Sequence, residues 1–202
     1  MSIPKEKYKT IAQATTSFFK DRGSKFLGYA YPILHIDDVK IQLQNIKKEH
    51  PKATHHCFAY RLGTDGLVFR ASDDGEPSGS AGRPILGQID SAQCTNVLII
   101  VVRYYGGTML GVPGLINAYK TCASDALTEA TWIEKWITQT VKITTDYNAL
   151  SEVLYLLKQA EADIISQDLQ LFCTIVTAIP KAQLEHYAAL LLKIRGLELN
   201  IL

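Results

Sequence analysis

Residues 73–119 read DDGEPSGSAGRPILGQIDSAQCTNVLIIVVRYYGGTMLGVPGLINAY. At their centre, Val97–Val102 is an unbroken run of β-branched residues and leucine, the pattern of a strand covered on both faces. Two loops hang from it. Upstream, DDGEPSGSAGRP packs three carboxylates, two serines and an arginine among glycines and prolines; downstream, RYYGGTMLGVPG leads into a helix expected from Leu115. Chains keep glycine where φ must be positive or where a ligand approaches the backbone, and functional groups gather on loops held by a rigid element. The expectation is that both loops lie at one end of one sheet and share a pocket, with His55 or His56 at its wall.

Outward from this stretch, the periodicities give the remaining elements. TTSFFK and SKFLGYAYP predict two strands joined through Asp21-Arg22-Gly23, a hairpin turn. Ile36, Val39, Leu43 and Ile46 recur at helical spacing, with Asp37 placed to cap, Lys47 and Lys48 at the C-terminal end, and Pro51 as the stop. HHCFAYRL and LVFRA follow as strands around Gly63-Thr64-Asp65-Gly66. Beyond the second loop, Leu115, Tyr119, Cys122, Ala126 and Ala130 share one helical face, with Ile116, Ala123 and Leu127 beside them, so this helix is expected to be largely buried.

After Trp132–Trp136 the pattern changes. TVKITTDY alternates, ALSEVLYLLKQAEA is helical, DIISQDLQLFCTIVTAI holds two strand segments, PKAQLEHYAALLLKI is helical and LELNIL closes as a strand. That order, β-α-β-β-α-β, is the ferredoxin-like arrangement of two helices on a four-stranded antiparallel sheet. Asn148 is expected to cap the first of these helices, with Pro180 in the first turn of the second and Gly196 at its C-cap. The fold class is α+β in two domains, residues 1–135 and 136–202.

Composition bounds the function without choosing it. The chain has 202 residues, is 47% hydrophobic and carries a net charge of +1, so a surface that is a polyanion clamp throughout is excluded while a local basic patch is not. Its four cysteines form no C-x-x-C pair, which removes a zinc ribbon and a dithiol redox motif. With no apolar run near the roughly 18 residues of a membrane helix and no signal-peptide core at the N-terminus, a cytoplasmic protein without a membrane partner is expected.

Each candidate group has two readings. Asp73, Asp74 and Glu76 suit Mg²⁺ binding or acid–base work, but caps, turns and a pair with Arg83 select the same residues. Ser78 and Ser80, with Gly79 and Gly82, suit an amide nest for an anion near the helix at Pro84, or an ordinary glycine-rich loop. Neither familiar nucleotide-loop spacing is present. His55 and His56 point to opposite faces of a strand, so they do not serve one metal from it, and no zinc-ligand spacing or cofactor motif is written. Arg103, Tyr104 and Tyr105, with Gly106 and Gly107, offer a cation, stacking rings for a nucleobase and close backbone approach, or routine packing at a strand end. No nucleophile elbow or triad spacing is found, which leaves open whether the protein is an enzyme.

SDDGEPSGSAGRPIL followed by NVLIIVVRYYGGTMLGVPGLINAY resembles the signature of the Impact/YigZ family, and the C-terminal β-α-β-β-α-β segment resembles the one its bacterial members carry. The commoner bacterial form has Phe, Lys, Gly and Arg where this chain has Tyr105, Met109, Pro113 and Asn117, so two cations are missing from the second loop. The resemblance implies an N-terminal module like the second domain of a small-subunit ribosomal protein and domain IV of elongation factor G, with the C-terminal domain like that factor's domain V. It implies a fold rather than a reaction, and no metal site or cofactor is expected. The tandem points to a translation-associated protein that binds structured RNA or the ribosome; a hydrolase or phosphotransfer enzyme using the acidic loop, and a regulator that binds a protein, are the alternatives.

Overall fold

A computed structural model describes residues 6–170 and 172–202. They form two compact units, residues 8–135 and a second that takes Glu6 and Lys7 together with residues 136–202.

The first unit is built on a five-stranded sheet ordered β2-β3-β6-β4-β5. Its strands are β2 (Thr15–Asp21), β3 (Ser24–Pro32), β4 (His55–Leu62), β5 (Val68–Ser72) and β6 (Val97–Tyr104). The central strand β6 pairs antiparallel with β3 on one side and β4 on the other. Every residue from Val97 to Val102 is fully buried, because period-two alternation sends successive side chains to opposite faces and both faces are covered. Val97, Ile99 and Val101 pack with α2 (Gly82–Ser91) and α3 (Gly111–Thr128). Leu98, Ile100 and Val102 pack with the buried Val39 and Ile46 of α1 (Ile36–Glu49). Two elements lie outside the expected set. The strands β1 (Lys7–Ile11) and β7 (Trp132–Trp136) form a separate two-stranded sheet; both are short and mixed in polarity, which is why periodicity passes over them.

The second unit has β8 (Thr138–Thr145), α4 (Leu150–Gln159), β9 (Asp163–Leu169), β10 (Cys173–Pro180), α5 (Lys181–Leu191) and β11 (Glu198–Ile201). The sheet order β11-β8-β10-β9, all antiparallel, is the ferredoxin-like topology. Val141, Ile143, Ile175 and Ile179 meet Val153 and Leu157 of α4 and Leu191 of α5 in its core.

Several local expectations are corrected. The α1 N-terminus is closed by Asp38, whose Oδ2 accepts from the Leu34 and His35 amides; Asp37 instead pairs with Lys40. At α4 it is Asp146 rather than Asn148 that accepts, from the Ala149 amide. Pro180 ends β10 and stands just before α5, whose C-cap is Leu192, with Gly196 further on. Helix α3 begins at Gly111, not Leu115, because the first turn needs no intrahelical N–H bond and so admits Pro113 and Gly114. Ile116 on that helix is exposed.

Candidate ligand-binding site

The C-terminal end of β6 brings Arg103 between Phe26 of β3 and His55 of β4, its partners in register. All three share the α2/α3 face. Glu76, on the loop before α2, receives the Arg103 Nη1 at 2.6 Å and the Tyr119 hydroxyl of α3 at 2.7 Å, both on Oε1. The Glu76 and Arg103 side chains are only 3% and 7% exposed. Two charges so far from water are tolerable only as a pair, and removing either leaves the other stranded. The Phe26 ring meets Tyr119 edge-on and lies under the guanidinium.

His55 is fixed by its Nδ1, which lies 2.8 Å from the Asp74 carbonyl. A carbonyl only accepts, so Nδ1 carries the proton, and in the neutral tautomer the lone pair lies at Nε2, 3.8 Å from Glu76 Oε1. The Cys57 thiol contacts the Asp73 carbonyl and the Tyr119 hydroxyl, and burial pushes both the thiol and that phenol well above their ordinary values. Neither is a nucleophile near neutral pH.

The acidic loop spends its polar groups on itself. Burial opposes ionisation of Asp73, but the amides of Gly79, Gly82 and Ala81, at 2.8 to 3.0 Å, hold its carboxyl below the usual range. The nest suited to an external anion is thus filled by Asp73. Asp74, at a φ of 42°, turns its carboxylate back to the His56 amide at 2.7 Å. Ser80 is buried and donates to the Pro77 carbonyl, whereas Ser78 and Arg83 are exposed. Glu76 pairs with Arg103 and not with Arg83. The three carboxylates therefore face three different partners, and among the described residues no three His, Cys, Asp or Glu side chains converge as metal ligands.

On the α1 face of the same sheet end, His50 lies between two tyrosines, with Nε2 2.6 Å from the Tyr29 hydroxyl and Nδ1 3.0 Å from that of Tyr104. Burial pushes Tyr29 up to about 12. His56, on this face, bonds the His50 carbonyl through Nε2, and burial holds its pKa below 6.5. His55 and His56 are thus divided between the faces, as strand alternation requires.

Two cavities flank the exposed ring of Tyr105. One, of about 450 Å³, lies between the two loops: His55, Glu76 and Arg103 border it with Thr54 and Pro77, and the second loop adds Met109, Leu110, Gly111 and Val112 above Leu115. The other, of about 520 Å³, is bordered by Phe18, Lys25, Leu27, His50 and Tyr104. Gly106 anchors the loop between them, its amide donating to Ser24 Oγ, and a Cβ there would run into the Gly23–Ser24 backbone. Gly107 is exposed, at a φ of 87°. Tyr119, Cys57 and Ser24 were not legible as site residues; the one available signal is that a tyrosine on an otherwise apolar helix face must find an acceptor inside.

The class so defined is a two-unit α+β protein with a loop-built pocket at the end of an antiparallel sheet. The chain belongs to the Impact family: residues 22–127 match the model of the Impact N-terminal domain. It is 35% identical to the IMPACT family member YigZ of Escherichia coli, over 78% of this chain and 79% of that one. An IMPACT family member of Haemophilus influenzae is also 35% identical, over 83% and 82% of the two chains. A crystal structure of a hypothetical protein, 32% identical, matches with a TM-score of 0.76 over 98% of this chain and 97% of its own.

Proposed function

We propose that this chain is a cytoplasmic, translation-associated binding protein that contacts structured RNA or the ribosome, with residues 1–135 as the contacting domain and 136–202 as a second domain that positions it. The observation that carries this is the cavity on the α1 face. Phe18 and Tyr105 are 58% and 49% exposed beside it, Tyr104 and His50 form its wall, and Lys25 borders it with the exposed Arg22 nearby in the β2–β3 turn. Exposed rings next to flexible cations suit base stacking and phosphate contact, at roughly 1–3 kcal/mol per stacked base. The tandem resemblance to the distal domains of elongation factor G supports the same partner class. Arg103 has no part in the contact, since it is spent on Glu76.

A net charge of +1 and the uncharged Met109 and Asn117 imply modest affinity that falls steeply with salt, because phosphate contacts act through counterion release. Sedimentation with ribosomes at low salt tests the proposal. Wild type co-sediments, and a Lys25→Ala, Tyr105→Ala variant of unchanged thermal stability does not. Absence of wild-type association with ribosomes or RNA at any salt ends it.

A further inference from the structure

We infer that the cavity between the two loops is a binding site for a small monocarboxylic acid with an apolar body, a ligand distinct from the RNA or ribosome contact and not dependent on it. Its volume, about 450 Å³, is within the range of small-molecule sites, and its walls are of the usual kind, mostly apolar with a few fixed polar groups. Pro77, Met109, Leu110 and Leu115 supply the apolar part.

The charge preference follows from comparing two helix starts in this unit. At α2 the side chain of Asp73 takes the amides of Gly79, Ala81 and Gly82, so a carboxylate of the chain closes that N-terminus. At α3 nothing equivalent exists. Leu110 at the N-cap has no side-chain acceptor, the first turn holds no acidic residue, and among the described residues no side chain accepts from the Gly111 or Val112 amides. Gly111 and Val112 border the cavity, so a carboxylate lodged there meets the positive end of an 18-residue helix. Arg103 borders the same cavity with its side chain 93% buried; Nη1 is taken by Glu76, while the buried Nε has no partner among the described residues, so the guanidinium retains one unmet donor at this wall.

The number of charges is limited as well. Arg103, the one cation of the lining among the described residues, is already matched by Glu76, so the α3 N-terminus is the positive charge left for a ligand; it suits a single carboxylate, and the second charge of a phosphate dianion would face Glu76 uncompensated. The lone pair at His55 Nε2 then suits a hydrogen-bond donor on the ligand body, such as an amide N–H.

N-acetyl-L-leucine carries these three features and serves as the probe, with N-acetyl-L-leucinamide and inorganic phosphate as controls, titrated calorimetrically into the full chain without RNA. The acid binds saturably and at least about tenfold tighter than its amide, and phosphate does not displace it. Val112→Asp places a carboxylate in the first turn of α3, where the helix dipole favours it, so the variant stays folded by thermal denaturation while its affinity for the acid falls about tenfold or more. Absence of saturable binding, equal binding of acid and amide, displacement by phosphate, or wild-type affinity in the Val112→Asp protein would each overturn the assignment. Because no RNA is present, ribosome association can fail or succeed without affecting this result.

Discussion

The loops at residues 73–84 and 105–110 sit at the same end of one sheet and treat their polar groups in opposite ways. In the first, Asp73 takes three amides, Asp74 a fourth, and Glu76 an arginine and a tyrosine, while Ser80 closes on Pro77. The second leaves Tyr105, Gly107, Thr108 and Met109 exposed, Met109 by 83%, and is tied down at Gly106. Polarity in a sequence therefore does not mark which surface is left open. The loop richest in charge is the frame, because its carboxylates are saturated; the loop with fewest charges is the open one.

The largest effect is expected where the frame is cut. Glu76→Ala or Arg103→Ala leaves one buried charge alone, and a loss of about 3–5 kcal/mol should appear in urea denaturation. A loss under about 1 kcal/mol would mean that the pair is not sealed and that the contrast between the loops is false. Asp73→Ala should cost less, about 2–3 kcal/mol, since three amides lose a charged acceptor but no opposite charge is left stranded.

The same aspartate gives a pH signature. Its folded pKa is depressed, so its stabilisation is complete above the ordinary carboxylate range, reached at the unfolded value of 3.8, and is lost as pH falls from there through the folded pKa. Asp73→Asn should flatten that acid limb. His56 makes a weaker contribution of the same sign: with a folded pKa below 6.5, it favours the fold above that pH and loses this advantage as pH falls towards the folded value. A His56→Gln variant should show a slightly shallower loss of stability below pH 6.5, measured by thermal denaturation in a pH series.

The smallest effect on stability is expected in the open loop. Met109→Ala should change stability by no more than about 0.5 kcal/mol, as at other surface positions, while the affinity for N-acetyl-L-leucine falls because an apolar wall is removed. Stability loss there as large as at Asp73 would erase the difference between the two loops.

The elements whose patterning is strong are legible in the amino-acid order itself. Val97–Val102 is covered on both faces because six successive apolar residues leave no side for water, and the β-α-β-β-α-β order of residues 138–201 closes into the sheet order β11-β8-β10-β9. The cap assignments at Asp37 and Asn148 failed because nearby carboxylates compete for the same amides, and a shift of one or two residues decides which reaches them. Residue identity placed Asp73, Asp74, Glu76, Arg103 and both histidines at one sheet end, since alternation and turn chemistry act over a few residues. The partners were set by contacts spanning long stretches of chain: Glu76 with Arg103 and Tyr119, Ser24 with Gly106, Tyr29 and Tyr104 with His50. Local propensity carries no information about such distances. Only the packed sheet, with β3, β6 and β4 in register and α3 laid across one face, decided which polar groups were already satisfied and which were left facing a cavity.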